Sequence, residues 1–249
     1  MERAGNVLYE GKAKIVLLHT DNRCVIQHFK DDITAFNAQN HATLTNKGII
    51  NNKISYLLMT YLAERGIKTH LLQYLNDREQ LVERLRVIPL EVVVRNIAAG
   101  SICKRLGIQH GLVLRKPLVE FYHKNDMLQD PMVTEDHITC FELATESDLG
   151  HIRNTALRIN EMLIEIFADI NITLVDLKLE FGLKETGTKK EVVLADEISP
   201  DTCRLWDKRT GSILDKDLYR LGSGDVMAGY REVLMRIERH VQKVRDLPW

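Results

Sequence analysis

Charged side chains take every second position of a strand-like segment in the C-terminal half of the chain. Residues 174–182 read LVDLKLEFG, so Asp176, Lys178 and Glu180 alternate with apolar residues. Because successive side chains of a strand point to opposite faces, the three charges share one face and the apolar residues pack into the core. Carboxylates and an ammonium group on one face can bind a divalent cation and a phosphate. The alternative is an ordinary half-exposed strand with a solvated charged face.

The residues after this segment predict a β-hairpin that adds another carboxylate to the same site. Residues 182–191 are rich in Gly, Lys and Thr, and residues 192–195 read VVLA before Asp196. A turn centred near residues 187–188 would place Glu180 opposite Asp196. Two neighbouring carboxylates repel each other unless a cation lies between them, and Mg²⁺ carrying nucleotide phosphates is such a cation. A shift of the register by one residue would remove this argument.

A second candidate site lies near the N-terminus, where residues 8–16 read LYEGKAKIV. Lys12 and Lys14 are two residues apart and would share one face of a strand, while Gly11 lets the backbone approach a ligand closely. Together they could cover a polyphosphate. The alternative is an edge strand that its lysines protect from aggregation. The chain lacks the GxxxxGK[ST] motif, which argues against a P-loop.

A third candidate site is the segment at residues 88–101, IPLEVVVRNIAAGS. Its β-branched strand leads from Arg95 into a run of small residues that ends at Gly100 and Ser101. A guanidinium, a hydroxyl and open backbone amides could therefore converge on the phosphate of a phosphorylated substrate. The alternatives are a structural ion pair for Arg95 and an ordinary helix start at Gly100 and Ser101.

The composition limits the possible function classes. The chain of 249 residues is 45% hydrophobic and 28% charged, which is enough for one large domain or two small lobes with a core. A net charge of −1 and a pI near 6.8 give no global electrostatic support for nucleic-acid or membrane binding. Any anionic ligand is therefore expected to be small.

The cysteines and the N-terminal residues predict a cytoplasmic protein. Cys24, Cys103, Cys140 and Cys203 show no CxxC spacing. A chain of this size needs no disulfide bonds to fold, so they are expected to be reduced thiols. The sequence shows no apolar signal segment and no stretch of about 18 apolar residues that could span a membrane.

Hydrophobic periodicity predicts an α+β protein with two lobes. Residues 6–16 and 23–29 have the pattern of two antiparallel strands. Because proline fixes the backbone, residues 88–90 (IPL) are the expected crossing between a lobe at residues 1–87 and a lobe at residues 88–249. The predicted amphipathic helices are residues 47–65, which end before Gly66, residues 151–170 and residues 225–244.

Two of these segments, IPLEVVVRNIAAGS and LVDLKLEFG, resemble the signature segments of the SAICAR synthetase family, the phosphoribosylaminoimidazole-succinocarboxamide synthases. Similar blocks follow the family's order along nearly the whole chain: LYEGKAKIV, NKGIINNKISYLL, CKRLGI, HKNDMLQDPMV, LADEISPDTCRLWD and LDKDLYRLG. The resemblance implies a bilobal α+β fold. It has an N-terminal antiparallel-sheet lobe like that of the protein kinases, a larger C-terminal α+β lobe, and ATP held between them.

The resemblance also implies a reaction of purine biosynthesis. ATP, the carboxyaminoimidazole ribonucleotide and L-aspartate give ADP, phosphate and the succinocarboxamide ribonucleotide. A carboxylate is a poor electrophile, so ATP is expected to convert the imidazole carboxylate to an acyl phosphate that the aspartate amine attacks. Catalysis would rest on positioning and on charge neutralisation by Mg²⁺ and cationic side chains. A homo-oligomer is expected from the resemblance and from the apolar-rich helix at residues 225–244.

The resemblance implies roles for individual residues. The ATP contacts are Lys12, Ala13, Lys14, Val87 and Lys124. The metal-associated acids are Glu180 and Asp196. The catalytic residues are Lys178, placed to neutralise the transferring phosphate, and Asp130 and Asp176, placed to organise a second metal or the substrate carboxylate. The ribonucleotide contacts are Arg95, Ser101 and Arg204. Further matches, which fit solvated helix charges at least as well, are Lys216 and Arg220.

One position departs from the family pattern. Family members commonly carry an aspartate where this chain has Asn37, and an amide accepts a hydrogen bond but supplies no charge. The number of metal ions and the residues of the aspartate pocket therefore stay open.

Two rival functions are a kinase-like ATP-binding regulator without ligase activity and a small-molecule kinase. The regulator could lose Arg95, Ser101 or Arg204 without unfolding, yet all three are present. The kinase would be expected to carry an HRDxxxxN catalytic loop, which the sequence lacks. Both rivals rank below the ligase.

Overall fold

A computed structural model describes residues 6–35, 40–187 and 189–245 of the chain. The strands are β1 (Val7–Glu10), β2 (Lys14–Leu18), β3 (Cys24–Phe29), β4 (Asp32–Ala35), β5 (Asn40–Thr43), β6 (Leu71–Asn76), β7 (Glu79–Glu83), β8 (Arg86–Ile97), β9 (Val113–His123), β10 (Met132–Val133), β11 (Ile172–Thr186), β12 (Lys189–Ala195) and β13 (Cys203–Asp207). The helices are α1 (Lys47–Glu64), α2 (Ser101–Leu106), α3 (Glu135–Cys140), α4 (Glu146–Asp169), α5 (Asp217–Leu221) and α6 (Val226–Arg245).

The first sheet is antiparallel, with the strand order β1-β2-β3-β7-β6. The prediction of a single strand over residues 6–16 is wrong, because the chain turns at residues 11–13 and splits the segment into β1 and β2. The Gly11 N–H donates to the Lys14 carbonyl at 2.8 Å and closes this turn. Lys12 therefore lies in the turn and does not share a strand face with Lys14.

The second sheet has the order β10-β9-β8-β11-β12, and β13 also pairs with β11. The long strand β11 lies at its centre, where β8, β12 and β13 all pair with it antiparallel. The apolar side chains predicted to face the core are buried, with Leu177 0% and Leu179 1% exposed. A central strand cannot shift easily, so it is a rigid mount for the charged residues on its other face.

Helix α1 confirms the helix predicted over residues 47–65. It ends before Gly66, whose φ of 82° is the left-handed conformation that glycine adopts just past a helix end. The buried side chains Ile54, Leu58 and Leu62 repeat at helical spacing and join a hydrophobic core with residues of the second sheet. The two predicted lobes thus share one core.

The connection between the two sheets is shorter than predicted. Strand β7 ends at Glu83 and β8 begins at Arg86, so Arg84 and Leu85 alone link them. The prediction that residues 88–90 form the crossing is wrong, because Pro89 lies inside β8. The division into residues 1–87 and 88–249 stays a prediction.

The two later helices are confirmed, with α4 starting five residues earlier than predicted. Thr145 caps it, since its side-chain oxygen accepts from the Asp148 N–H at 3.1 Å. In α6, Tyr230, Val233 and Ile237 are fully buried in the chain's own core. The apolar face of α6 is thereby used within the chain, so it gives no support for an oligomer. No helix in the described ranges is long and apolar enough to cross a membrane.

Candidate active site

A cavity of about 780 Å³ opens between the two sheets. Strands β1, β2, β3 and β7 of the first sheet line one side, and β8, β11 and the segment after β12 line the other. Most of the predicted site residues line this cavity: Lys12, Ala13, Lys14, Val87, Lys124, Asp130, Lys178, Glu180, Asp196, Lys216 and Arg220. The cavity is large enough for a nucleotide-sized ligand.

Lysines and carboxylates alternate in space along the β11 side of the cavity. The Lys178 Nζ lies 2.6 Å from a Glu180 oxygen and 2.9 Å from a Glu91 oxygen. Lys124 pairs with the other oxygen of Glu180. Glu180 is only 5% exposed, so the alternative of a solvated charged face is wrong for this strand. These charges are instead held in fixed pairs.

The hairpin reverses where it was predicted, but its register differs by one residue. Thr186 pairs with Lys189, and Glu180 is therefore opposite Ala195. Asp196 follows as the first residue beyond the strand, with a left-handed φ of 62°. Its carboxylate pairs with Lys14 and lies 3.9 Å from the Lys178 Nζ. Glu180 and Asp196 therefore both lie near Lys178. The cause is the turn of the backbone at Asp196, and not the strand register.

The surrounding lysines keep the carboxylate of Asp196 ionised at neutral pH. Burial favours the neutral form of Asp196, but Lys14, Lys178 and Lys124 together hold its pKa well below the ordinary value. Burial likewise opposes the charge of Lys178, yet Glu180 and Glu91 raise its pKa well above the ordinary value. The cluster therefore presents fixed ammonium groups and fixed carboxylates at one end of the cavity.

A second cluster is centred on Arg95, which is 3% exposed. Its N–H groups donate to Glu120 at 2.8 Å, Asp176 at 2.9 Å, Ser101 at 3.1 Å, the Ala99 carbonyl at 3.2 Å and Tyr122 at 3.3 Å. A guanidinium has five donors, so Arg95 has none left for a substrate phosphate in this arrangement. The structural ion pair that the sequence left open is present. The ribonucleotide contact of Arg95 and Ser101 stays a prediction.

Arg204 joins the second cluster to the cavity. Its Nη1 donates to Asp176 at 2.8 Å and its Nε to Asp217 at 2.7 Å. Asp217 also accepts from Arg220, which lines the cavity. Asp176 thus holds two arginines at once, because it accepts from both Arg95 and Arg204.

Gly100 lets the Arg204 guanidinium lie against the backbone. A Cβ at this position would lie 2.5 Å from the Arg204 Nη2, and the φ of 66° is itself unfavourable for other residues. We expect Gly100→Ala to displace Arg204 and to raise the KM for a phosphorylated substrate about tenfold, measured by steady-state kinetics. Gly107→Ala is the control, since Gly107 has a φ of 64° but open space around its Cβ. An equal change in both variants would contradict the role of the contact.

Asp130 has a structural role in the loop that carries Lys124. Its side chain accepts from the Asn125 N–H at 2.8 Å. Lys12 reaches the same loop by pairing with Asp126 at 2.6 Å. The metal or substrate role of Asp130 stays a prediction, and Asn37 lies outside the described residues.

Several residues of the site were missed by the sequence interpretation. Glu91 lies opposite Glu180 across β8 and β11, and the alternation along β8 places it on the same face as Arg95. That signal was available in the sequence. Glu197, which pairs with Lys14 at 2.6 Å, carried no periodic signal because it lies beyond β12.

A magnesium site fits the donor atoms at this end of the cavity. Within residues 6–35, 40–187 and 189–245 no three His, Cys, Asp or Glu side chains form a ready metal cage. Mg²⁺ bound with a nucleotide needs only one or two carboxylates, because phosphate and water supply its other ligands. Glu180 and Asp196 supply two carboxylates of that kind.

An α+β scaffold that presents ammonium groups and ionised carboxylates to one cavity is expected of an enzyme that transfers phosphoryl groups between anionic substrates. The chain matches the family model for SAICAR synthetase over residues 7–237. A phosphoribosylaminoimidazole-succinocarboxamide synthase from Wolbachia pipientis subsp. Culex pipiens (strain wPip) is 52% identical over 230 residues, which cover 92% of this chain and 95% of the relative.

Solved structures agree with this match. The phosphoribosylaminoimidazole-succinocarboxamide synthase from Ehrlichia chaffeensis superposes with a TM-score of 0.92 at 51% identity, covering 94% of this chain and 98% of that chain. A SAICAR synthetase (Type-2) in complex with ADP gives a TM-score of 0.88 at 44% identity, covering 92% of this chain and 96% of that chain. The chain therefore belongs to the SAICAR synthetase family. It is a ligase of purine biosynthesis, and the family reaction joins L-aspartate to a ribonucleotide carboxylate.

Proposed function

We propose that this chain uses ATP to activate the carboxylate of 5-amino-1-(5-phospho-D-ribosyl)imidazole-4-carboxylate and then joins it to L-aspartate. The observation that carries the proposal is the cluster of paired lysines and carboxylates around Lys178, at one end of a nucleotide-sized cavity. The carboxylate oxygen attacks the γ-phosphorus of ATP and ADP leaves. The amine of aspartate then attacks the acyl phosphate and phosphate leaves. Positioning and charge neutralisation suffice, so no protein nucleophile is needed.

The nucleotide is assigned to the cavity between the sheets. Support comes from the similar SAICAR synthetase whose structure is described as a complex with ADP. Lys12 in the turn between β1 and β2 and Lys14 at the start of β2 cover the phosphates, and Lys124 approaches them from the other wall of the cavity. Val87 is 52% exposed and lines the cavity near the Arg84–Leu85 link, and we assign the base of the nucleotide to this place.

The magnesium ion is assigned to Glu180 and Asp196. Each carboxylate is now paired with lysine, so binding of the ion with its phosphates requires an exchange of partners within the cluster. When bound, Mg²⁺ would neutralise the transferring phosphate. Lys178 lies between the two acids and is placed to hold the phosphate oxygens as the charge moves.

The ribonucleotide is assigned to the second cluster. Arg204 shares Asp217 with Arg220, a residue of the cavity wall, so Arg204 is the guanidinium that we assign to the phosphate of the ribonucleotide. Arg95 and Ser101 lie behind Asp176 in this arrangement, and they support the position of Arg204 through that carboxylate.

The test is ADP release from ATP and Mg²⁺ with the ribonucleotide, run with and without L-aspartate. We expect full release only when both co-substrates are present, together with formation of the succinocarboxamide product. Release of ADP at the same rate without L-aspartate would favour a kinase or a hydrolase. Binding of ATP with no release under any condition would favour the regulator.

We also propose that the enzyme acts in the cytoplasm and as a homo-oligomer. The first part is supported by the thiols of Cys24, Cys103, Cys140 and Cys203, all of which are free in the structure. The second part rests on the family alone, because the apolar face of α6 is buried within the chain. Sedimentation of the purified protein would measure the oligomeric state directly.

A further inference from the structure

Lys216 lies on the cavity wall directly before α5 and has no partner there. It precedes Asp217 at the start of the helix, and its backbone N–H donates to the Pro200 carbonyl at 3.1 Å. Its ammonium makes no hydrogen bond or ion pair with any residue of the described ranges, whereas Lys12, Lys14, Lys124 and Lys178 on the same wall are all paired. Lys216 is therefore a surplus cation of the cavity.

The carboxylate whose charge acts most strongly on Lys216, that of Asp201, already has other partners. One oxygen of Asp201 pairs with the buried Lys47 at 2.6 Å, and the other accepts from the Tyr230 hydroxyl at 2.6 Å. Lys47 is 1% exposed, so its ammonium group is inaccessible to a ligand. Asp201 therefore attracts Lys216 electrostatically without accepting a hydrogen bond from it. The three N–H donors of the Lys216 ammonium group stay available to a molecule in the cavity.

A second cation lies beside Lys216 with donors to spare. The Arg220 Nη1 donates to Asp217, and its remaining N–H groups have no acceptor among the described residues. Burial lowers the pKa of Lys216, and the charge of Arg220 lowers it further, while Asp201 acts in the opposite direction. Two cations that repel each other across a partly closed cavity gain stability when an anion binds between them.

This wall is next to the site assigned to phosphoryl transfer. The Thr202 carbonyl accepts from the backbone N–H of Lys178 at 2.8 Å, and Thr202 lines the same cavity as Lys216. A molecule held by Lys216 would thus lie near the atoms that react at Lys178. The phosphates of ATP already have Lys12, Lys14 and Lys124, which leaves Lys216 for another anion.

We propose that Lys216, with Arg220 beside it, binds a carboxylate of L-aspartate and so holds the amine near the activated ribonucleotide. The inference rests on the proposed function, which requires an amino acid with two carboxylates in the cavity. The proposed nucleotide site has its own cations, so those of this wall are left for the carboxylates of L-aspartate. A surplus cation next to Lys178 is the group such a substrate needs.

The test is the steady-state kinetics of Lys216→Gln, with each of the three substrates varied in turn. A lost charge-assisted hydrogen bond predicts that the KM for L-aspartate rises roughly 10- to 100-fold. The KM values for ATP and for the ribonucleotide are expected to stay within about twofold. Lys216→Arg keeps the charge and should recover part of the affinity for L-aspartate.

The control is Lys208→Gln, which removes one charge from an exposed lysine outside the cavity. It should leave all three KM values unchanged. An equal rise of the ATP or ribonucleotide KM in Lys216→Gln would overturn the inference and make Lys216 a phosphate contact. Three unchanged KM values would also overturn it.

If the wild-type protein makes no succinocarboxamide product, the proposed function itself fails. If Lys216→Gln does not fold, Lys216→Arg and Arg220→Gln carry the same comparison.

Discussion

Replacing Glu180 with glutamine is expected to lower kcat by about 10³-fold, because we propose this carboxylate as a metal ligand and it is the partner of two lysines. Its oxygens pair with Lys178 and Lys124, and it is 5% exposed. Glutamine keeps the shape but supplies no charge, so Mg²⁺ and the transferring phosphate both lose their fixed partner. The measurement is the rate of ADP release at saturating substrates and increasing Mg²⁺.

The control for this variant is Glu185→Gln on the same strand. Glu185 is exposed and pairs with Arg86 at 3.2 Å, so its loss should leave kcat within about twofold. Both variants should melt as cooperatively as the wild-type protein. Turnover of Glu180→Gln at the wild-type rate would contradict the assignment of the metal, and recovery at high Mg²⁺ would show that binding of the ion is what was lost.

The charged face of β11 could be predicted because it depends on a local rule. Alternation of side chains along a strand needs no knowledge of the rest of the fold, so Asp176, Lys178 and Glu180 were placed on one face from the sequence alone. The helices were predictable for the same reason, since their apolar positions repeat every three to four residues. The hairpin turn near Gly187 followed from its glycine-rich sequence.

The positions of the partner charges could not be predicted, because they depend on single backbone angles and on distant contacts. One left-handed residue, Asp196, aims its carboxylate at Lys14, and no pattern in the sequence marks that angle. The turn at residues 11–13 likewise moved Lys12 off the strand that carries Lys14. Both errors came from extending a strand pattern across a short break.

The hydrogen-bond acceptors of Arg95 could not be predicted from the sequence either. A strand arginine followed by small residues fits a phosphate site and a structural ion pair equally well. In the structure Arg95 donates to Glu120 and Tyr122, which lie on β9, the strand that pairs with β8. The neighbouring strand determines which acceptors a buried guanidinium has. The pairing of β8 with β9 cannot be predicted from the sequence of β8 alone.

Replacing Asp176 with asparagine is expected to lower the free energy of unfolding by about 3 kcal/mol, since one buried oxygen accepts from two guanidiniums. The distances are 2.9 Å to Arg95 and 2.8 Å to Arg204, and Asp176 is 3% exposed. The amide can keep one oxygen in place but not the charge. For a chain of this size the melting temperature should fall roughly 6–12 °C, measured by circular dichroism.

Asp176→Asn should also weaken binding of the ribonucleotide, because Asp176 holds the guanidinium of Arg204 in place. We expect the KM for the ribonucleotide to rise about tenfold or more while the affinity for ATP stays within about twofold. Asp126→Asn provides the comparison, as its pair with Lys12 is largely exposed and should contribute less than about 1 kcal/mol to folding. If Asp176→Asn kept both its melting temperature and its ribonucleotide KM, the two arginines would not depend on this carboxylate, and Arg204 would have to be held by Asp217 alone.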